Sequence, residues 1–170
     1  ADLLPRDIEA QLKAGSLLFY AGRFEEAKAR AEKALSADPT HADAMTLRAN
    51  ALLELRDTEG AAAQLRQAIA ISPSGVRFAS LGIVLDRQGK AAEAEAEFRR
   101  AVAAEPASAE VHVALAKFLL KSGRSPEAER AFKAALAADA ANVAANAALA
   151  DFFVGSNRAV EAEPYLRKLA

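Results

Sequence analysis

The chain of 170 residues carries 22 basic and 23 acidic residues, a formal net charge of −1, so no cationic surplus favours a phosphate backbone and nucleic acid is not an expected partner. It contains no cysteine, which excludes disulfides, thiolate metal sites and cysteine nucleophiles. No apolar run approaches the roughly 20 residues that a membrane-spanning helix needs, so membrane insertion by this segment is not expected.

Hydrophobic residues make up 52% of the chain but aromatics only 6%, with alanine filling much of the difference. Alanine is the best helix former and adds little bulk, which points to closely approaching helices and an all-α fold. In chain order the predicted elements are helix–turn–helix units at 8–41, 42–74, 75–108, 109–142 and 143–170. Their turn signals are Ala-Gly-Arg-Phe at 21–24, Arg-Asp-Thr at 56–58, Gln-Gly-Lys at 88–90, Ser-Gly-Arg-Ser-Pro at 122–126 and Gly-Ser-Asn-Arg at 155–158. In the fourth unit Ser125 is placed as an N-cap with Pro126 at the first helical position. Pro164 falls near the start of the last helix and is expected to delay or kink it.

The units end on a recurring phrase: Leu-Ser-Ala-Asp-Pro39, Ile-Ala-Ile-Ser-Pro73, Val-Ala-Ala-Glu-Pro106 and Leu-Ala-Ala-Asp-Ala140, at intervals of 34, 33 and 34 residues. Independent registers of small residues keep the same period: Gly15, Ala49, Gly82, Ala116 and Ala150; Ala27, Ala61, Ala94, Ala128 and Ala162; Ala34, Ala68, Ala101 and Ala135. A period of this length marks a solenoid, whose units are each too small to bury their own apolar face and stack on neighbours. The interval from Ala49 to Pro73 equals that from Gly15 to Pro39, so the missing residue follows Pro73, near Ser74-Gly75, where irregular stacking is expected. Pro5 precedes Pro39 by 34 residues, so 1–7 reads as the tail of a preceding repeat, and the last unit stops short of its own proline register.

The units resemble tetratricopeptide repeats over 8–170. The third carries the pattern best, with Phe78, Leu81, Gly82, Leu85, Gly89, Ala94, Phe98, Ala101 and Pro106. The fourth has His112, Leu115, Ala116, Leu119, Gly123, Ala128, Phe132 and Ala135, with Ala140 in place of the proline, and the first has Gly15, Leu18, Gly22, Phe24, Ala27, Ala34 and Pro39. Departures are Gln11 at a usual aromatic, Arg48 at a usual apolar position and Arg56 at a usual glycine. The resemblance implies a right-handed superhelical solenoid of antiparallel helix pairs acting as a protein-interaction scaffold or adaptor.

Residues at i, i+4 and i+7 of each first helix share a face. By the resemblance, one such face lines a concave groove: Leu12, Ser16 and Phe19; Thr46, Asn50 and Leu53; Ala79, Ile83 and Asp86; Val113, Lys117 and Leu120; Ala147, Asp151 and Val154. A peptide or partner segment held there is the expected function; the competing reading is that several of these residues fill the seam between first helices. Family members that clamp a chaperone's terminal carboxylate use lysine, asparagine and arginine. The matching places here are Leu12, Ser16, Asn50, Val76 and Ser80, and with only Asn50 fitting the clamp lacks its cations.

Chemistry finds little support. Of two histidines, His41 lies in a loop and His112 at a packing position, and no histidine pair, glycine-rich phosphate loop or cysteine pair points to a metal, nucleotide or other cofactor. The carboxylates of Arg23-Phe-Glu-Glu-Ala27 and Ala92-Glu-Ala-Glu-Ala-Glu97 sit early in second helices, where they oppose the helix dipole and alternate with cations. A non-catalytic binding module is therefore expected. The alternative is a structural spacer or self-assembly segment of a longer solenoid, associating through its C-terminal end, where Tyr165, Leu166 and Leu169 form no polar cap.

Overall fold

The computed structural model describes residues 7–169; the predicted tail of a preceding repeat around Pro5 lies outside them. Ten helices and no strand occur among the described residues: α1 (Ile8–Tyr20), α2 (Phe24–Ala37), α3 (Ala42–Glu54), α4 (Thr58–Ile71), α5 (Gly75–Arg87), α6 (Ala91–Ala104), α7 (Ala109–Lys121), α8 (Ser125–Ala138), α9 (Val143–Gly155) and α10 (Ala159–Leu166). The chain divides into two compact units, one through Ala94 and one from Glu95, with the division inside α6. Within unit 1 consecutive helices pack in pairs while the first helices α1, α3 and α5 also touch one another; within unit 2, α7, α8, α9 and α10 repeat the scheme, with α7 against α9. The fold is an all-α helical-repeat solenoid.

Local chemistry starts and stops each helix at the sequence period. The N-caps of the first helices are Asp7, His41, Ser74, Ser108 and Asn142. Asp7, Asn142 and Ser74 accept the N–H three residues on at 3.0, 2.9 and 3.3 Å, and His41 does so through Nδ1 at 3.3 Å, satisfying a donor the helix leaves open. Inside each repeat the chain reverses through a left-handed residue, Gly22, Arg56, Gly89, Gly123 or Asn157, with φ of 74°, 70°, 78°, 75° and 58°. Only glycine adopts this without crowding its Cβ, so Arg56 stores strain that the equivalent glycines do not. Pro39, Pro73 and Pro106 each come after the residue that follows a second helix, Asp38, Ser72 and Glu105, and bias those residues away from helical conformation. The α4–α5 connection, 72–74, is one residue shorter than those at 38–41, 105–108 and 139–142, which places the lost residue in a loop.

The small-residue registers are the core. Ala27, Ala61, Ala94, Ala128 and Ala162 are fully buried, as are Ala34, Ala68, Ala101 and Ala135. A Cβ on Gly15 would lie 2.6 Å from Leu47 Cδ2 and 3.2 Å from Arg30 Cβ, so the missing methyl lets α1 approach both α2 and α3. In unit 2 aromatic pairs fill the spaces between helices: Phe98 with Phe118 at 5.1 Å, and 34 residues on Phe132 with Phe152 at 6.3 Å.

Two expectations are corrected. Ser125 is the first residue of α8 and Arg124 stands at the cap position, where its donor-only guanidinium makes no capping bond; Pro126 still lies in the first turn, where no backbone bond is lost. Helix α10 does not start late: it begins at Ala159, in register with the other second helices, and ends at Leu166, two residues after Pro164 withholds its N–H from the ladder.

Candidate functional site

Neighbouring first helices leave a cleft between them in each unit. In unit 1 it encloses about 210 Å³ and is lined by Ser16, Phe19 and Tyr20 of α1 and Asp43, Thr46, Leu47 and Asn50 of α3. In unit 2 it encloses about 660 Å³, lined by Lys117 and Leu120 of α7, Ala144, Ala147, Ala148, Asp151, Phe152 and Gly155 of α9, and Ser125, Phe132 and Ser156. The two clefts occupy one register: Ser16 and Lys117 are one residue beyond the small positions Gly15 and Ala116, and Asn50 and Asp151 one beyond Ala49 and Ala150.

Of the residues expected on this face, Ser16, Phe19, Thr46, Asn50, Lys117, Leu120 and Asp151 come together in the two clefts, and Ala147 with them. Leu53, Ala79 and Val113 are buried and line neither cleft, as the competing reading of seam-filling residues expects for side chains on this face. Leu12 is half-buried and outside either cleft, Ile83 is exposed on α5, and Asp86 is half-buried. Val154 is exposed beyond the unit 2 cleft.

The sequence reading missed Tyr20, Asp43 and Leu47 in unit 1 and Ala144, Ala148 and Phe152 in unit 2. Asp43 and Ala144 lie three residues before Thr46 and Ala147, one helical turn further along the same stripe, so extending the i, i+4, i+7 face by a turn finds them. It also missed Arg77. At that register the other repeats have Ala10, Ala44, Val111 and Ala145, so an arginine in an apolar place was the available signal. Arg77 is buried, and its guanidinium ion-pairs with Asp43 and donates to Thr46 Oγ1 at 3.2 Å and to the Ser72 carbonyl at 2.8 Å. It thereby fixes two lining residues of the unit 1 cleft from behind.

Unit 2 is held instead by a repeated ionic staple. Arg124 donates to Glu127 at 2.6 and 2.7 Å and to Glu95 at 2.8 Å; one period later Arg158 donates to Glu161 at 2.6 Å and to Glu129 at 2.7 Å and lies 4.6 Å over the Phe153 ring. Hydrogen bonds from Arg124 and then Arg99 hold the Glu95 carboxyl below its ordinary range, and those from Arg158 and then Lys133 do the same for Glu129. These carboxylates are structural anchors. His112 is half-buried, with Nε2 2.8 Å from the Pro106 carbonyl. No cluster of three or more His, Cys, Asp or Glu suited to a metal occurs among the described residues, and none of their helices is long and apolar enough to cross a membrane.

Family models described as tetratricopeptide repeat match residues 12–76 and 113–170, and a second such model matches 87–133. No curated protein matches the sequence. Among solved structures, a thermophilic TPR protein of Thermus thermophilus is similar at a TM-score of 0.83 and 24% identity, over 95% of this chain and 89% of that one. The pilF protein of Pseudomonas aeruginosa is similar at 0.76 and 23%, over 96% and 76%. YrrB, described as a TPR protein with an unusual peptide-binding site, is similar at 0.58 and 22%, over 96% and 85%. At these identities the likeness establishes the fold.

Proposed function

The chain belongs to the tetratricopeptide repeat family, whose members are in general protein–protein interaction scaffolds and bind protein or peptide partners, and from that premise we propose that it is a non-catalytic adaptor holding a peptide or partner segment against its first-helix clefts. The observation that carries this reading is the coincidence of register: expected binding residues gather in both units at equivalent places, Ser16 with Asn50 and Lys117 with Asp151. A preformed cleft on rigid helices spends little of the protein's own entropy on binding, so most of the ordering cost falls on the ligand. The peptide-binding site named for YrrB is consistent with such a use of the fold.

Selection of a displayed random-peptide library against the whole chain tests the proposal. Selected peptides are expected to lose about fivefold or more in affinity for Asn50→Ala/Lys117→Glu, with an unchanged helical circular dichroism spectrum. Affinity indifferent to that double change defeats the proposal. Exposed Val160, Leu166 and Leu169 favour a second reading, self-association through the C-terminal end, which sedimentation showing only monomer at high concentration would refute.

A further inference from the structure

Building on the reading that the clefts hold a protein segment, we propose that the unit 2 cleft selects a segment presenting one large apolar side chain flanked by a carboxylate on one side and a cation on the other. Room comes from alanine. At the three places where α3 carries Asp43, Thr46 and Leu47, α9 carries Ala144, Ala147 and Ala148, and the cleft grows from about 210 to about 660 Å³. Its accessible apolar surface is Leu120 with Ala144, Ala147 and Ala148, set against the buried Phe132 and Phe152, and a leucine- or phenylalanine-sized side chain would cover and dry it.

The rims supply the charge pattern. Lys117 on α7 and Asp151 on α9 stand at the same register of adjacent helices, both exposed, and neither side chain has an ion pair or hydrogen bond with any described residue. No internal pair has to break before they meet a ligand. One cation and one anion facing a common cleft complement a segment carrying both signs in a defined order, whereas a segment of one sign meets repulsion at one rim. In unit 1 the equivalent places are Ser16 and Asn50, both uncharged, so the preference belongs to unit 2.

Fluorescence polarisation with the whole chain and labelled, end-blocked nonapeptides tests this. The peptides carry a central Leu in a Gly/Ser background with Glu and Lys on either side, in both orders, with central Ala or uncharged flanks as variants. One charge order should bind best, with about a thirtyfold loss for central Ala and roughly fivefold for uncharged flanks. Ala148→Leu, which fills the cleft, should abolish binding. The exchange Lys117→Glu/Asp151→Lys, at two exposed positions that do not burden folding, should reverse the preferred order. Binding indifferent to order, or an order unchanged by the exchange, overturns the selectivity and leaves segment binding intact. Failure of this whole set while selected library peptides bind overturns it likewise; failure of both overturns segment binding as well. A concentration-dependent dimer abolished by Lys117→Glu would make a second copy the occupant and overturn the assignment to a partner.

Discussion

In unit 1 the seam between first helices is polar and pinned: Arg77 reaches from α5 to Asp43 and Thr46 of α3, and the cleft beside them is small. In unit 2 the corresponding seam is alanine-lined and open, and rigidity comes from aromatic pairs and from the arginine–glutamate staples. The period, the small-residue contacts and the turns are common to both. A solenoid can thus change what its first-helix face offers without changing its backbone register, provided that stability is supplied somewhere other than the face.

The largest effect that would break the comparison is loss of an aromatic in unit 2. Phe132→Ala should cost about 4 kcal/mol, against about 3 kcal/mol for Leu65→Ala, which removes the buried residue at the same register of unit 1. Urea denaturation checks both, and equal losses would show that the aromatic pairing adds nothing. Next comes Arg77→Ala, expected to cost about 2 kcal/mol because it empties a buried site and removes the donors that the Ser72 carbonyl and the Thr46 hydroxyl accept from. It should also weaken peptides bound at the unit 1 cleft while leaving those at unit 2 unchanged; a loss confined to stability would reduce Arg77 to a filler.

Arg56→Gly should stabilise by about 1 kcal/mol, since it relieves the left-handed strain at the one helix-pair turn of unit 1 that lacks glycine. A thermal melt unchanged by that substitution would mean that the backbone has relaxed around the arginine. The smallest effect is acid dependence. The carboxyls of Glu95 and Glu129 are lowered in the fold, so their contribution is present above the ordinary value near 4.5 and is lost as pH falls through the lower folded value. Stability measured from about pH 5 downward should decline, and Glu95→Gln/Glu129→Gln should flatten that slope. An unaltered slope would place the acid sensitivity in other carboxylates.

Much of the fold was legible because it depends on short-range rules. The small registers at Gly15, Ala27 and Ala34 and their repeats mark helix contacts directly, and Pro39, Pro73 and Pro106 end second helices through a covalent restriction on the backbone. The candidate face was half legible. Helical spacing puts Ser16, Asn50, Lys117 and Asp151 on the right stripe, but it cannot say where neighbouring helices close over it, so Leu53, Ala79 and Val113 look like surface until packing is known. The Ser125 cap and the delayed last helix failed for a related reason: α8 and α10 start at the register shared by all the second helices, at Ser125 and Ala159.

By itself the amino-acid order determined the repeat period, the all-α class, the turn positions and the one-residue deletion after Pro73, since each follows from residues close in sequence. Only the tertiary structure decided that Arg77 lies buried behind Asp43 and Thr46, that arginine staples recur through unit 2, and that Ala144, Ala147 and Ala148 line a roomy cleft together with Lys117 and Asp151. Those features join residues roughly one period apart, and their energies depend on burial and distance, which no local pattern specifies.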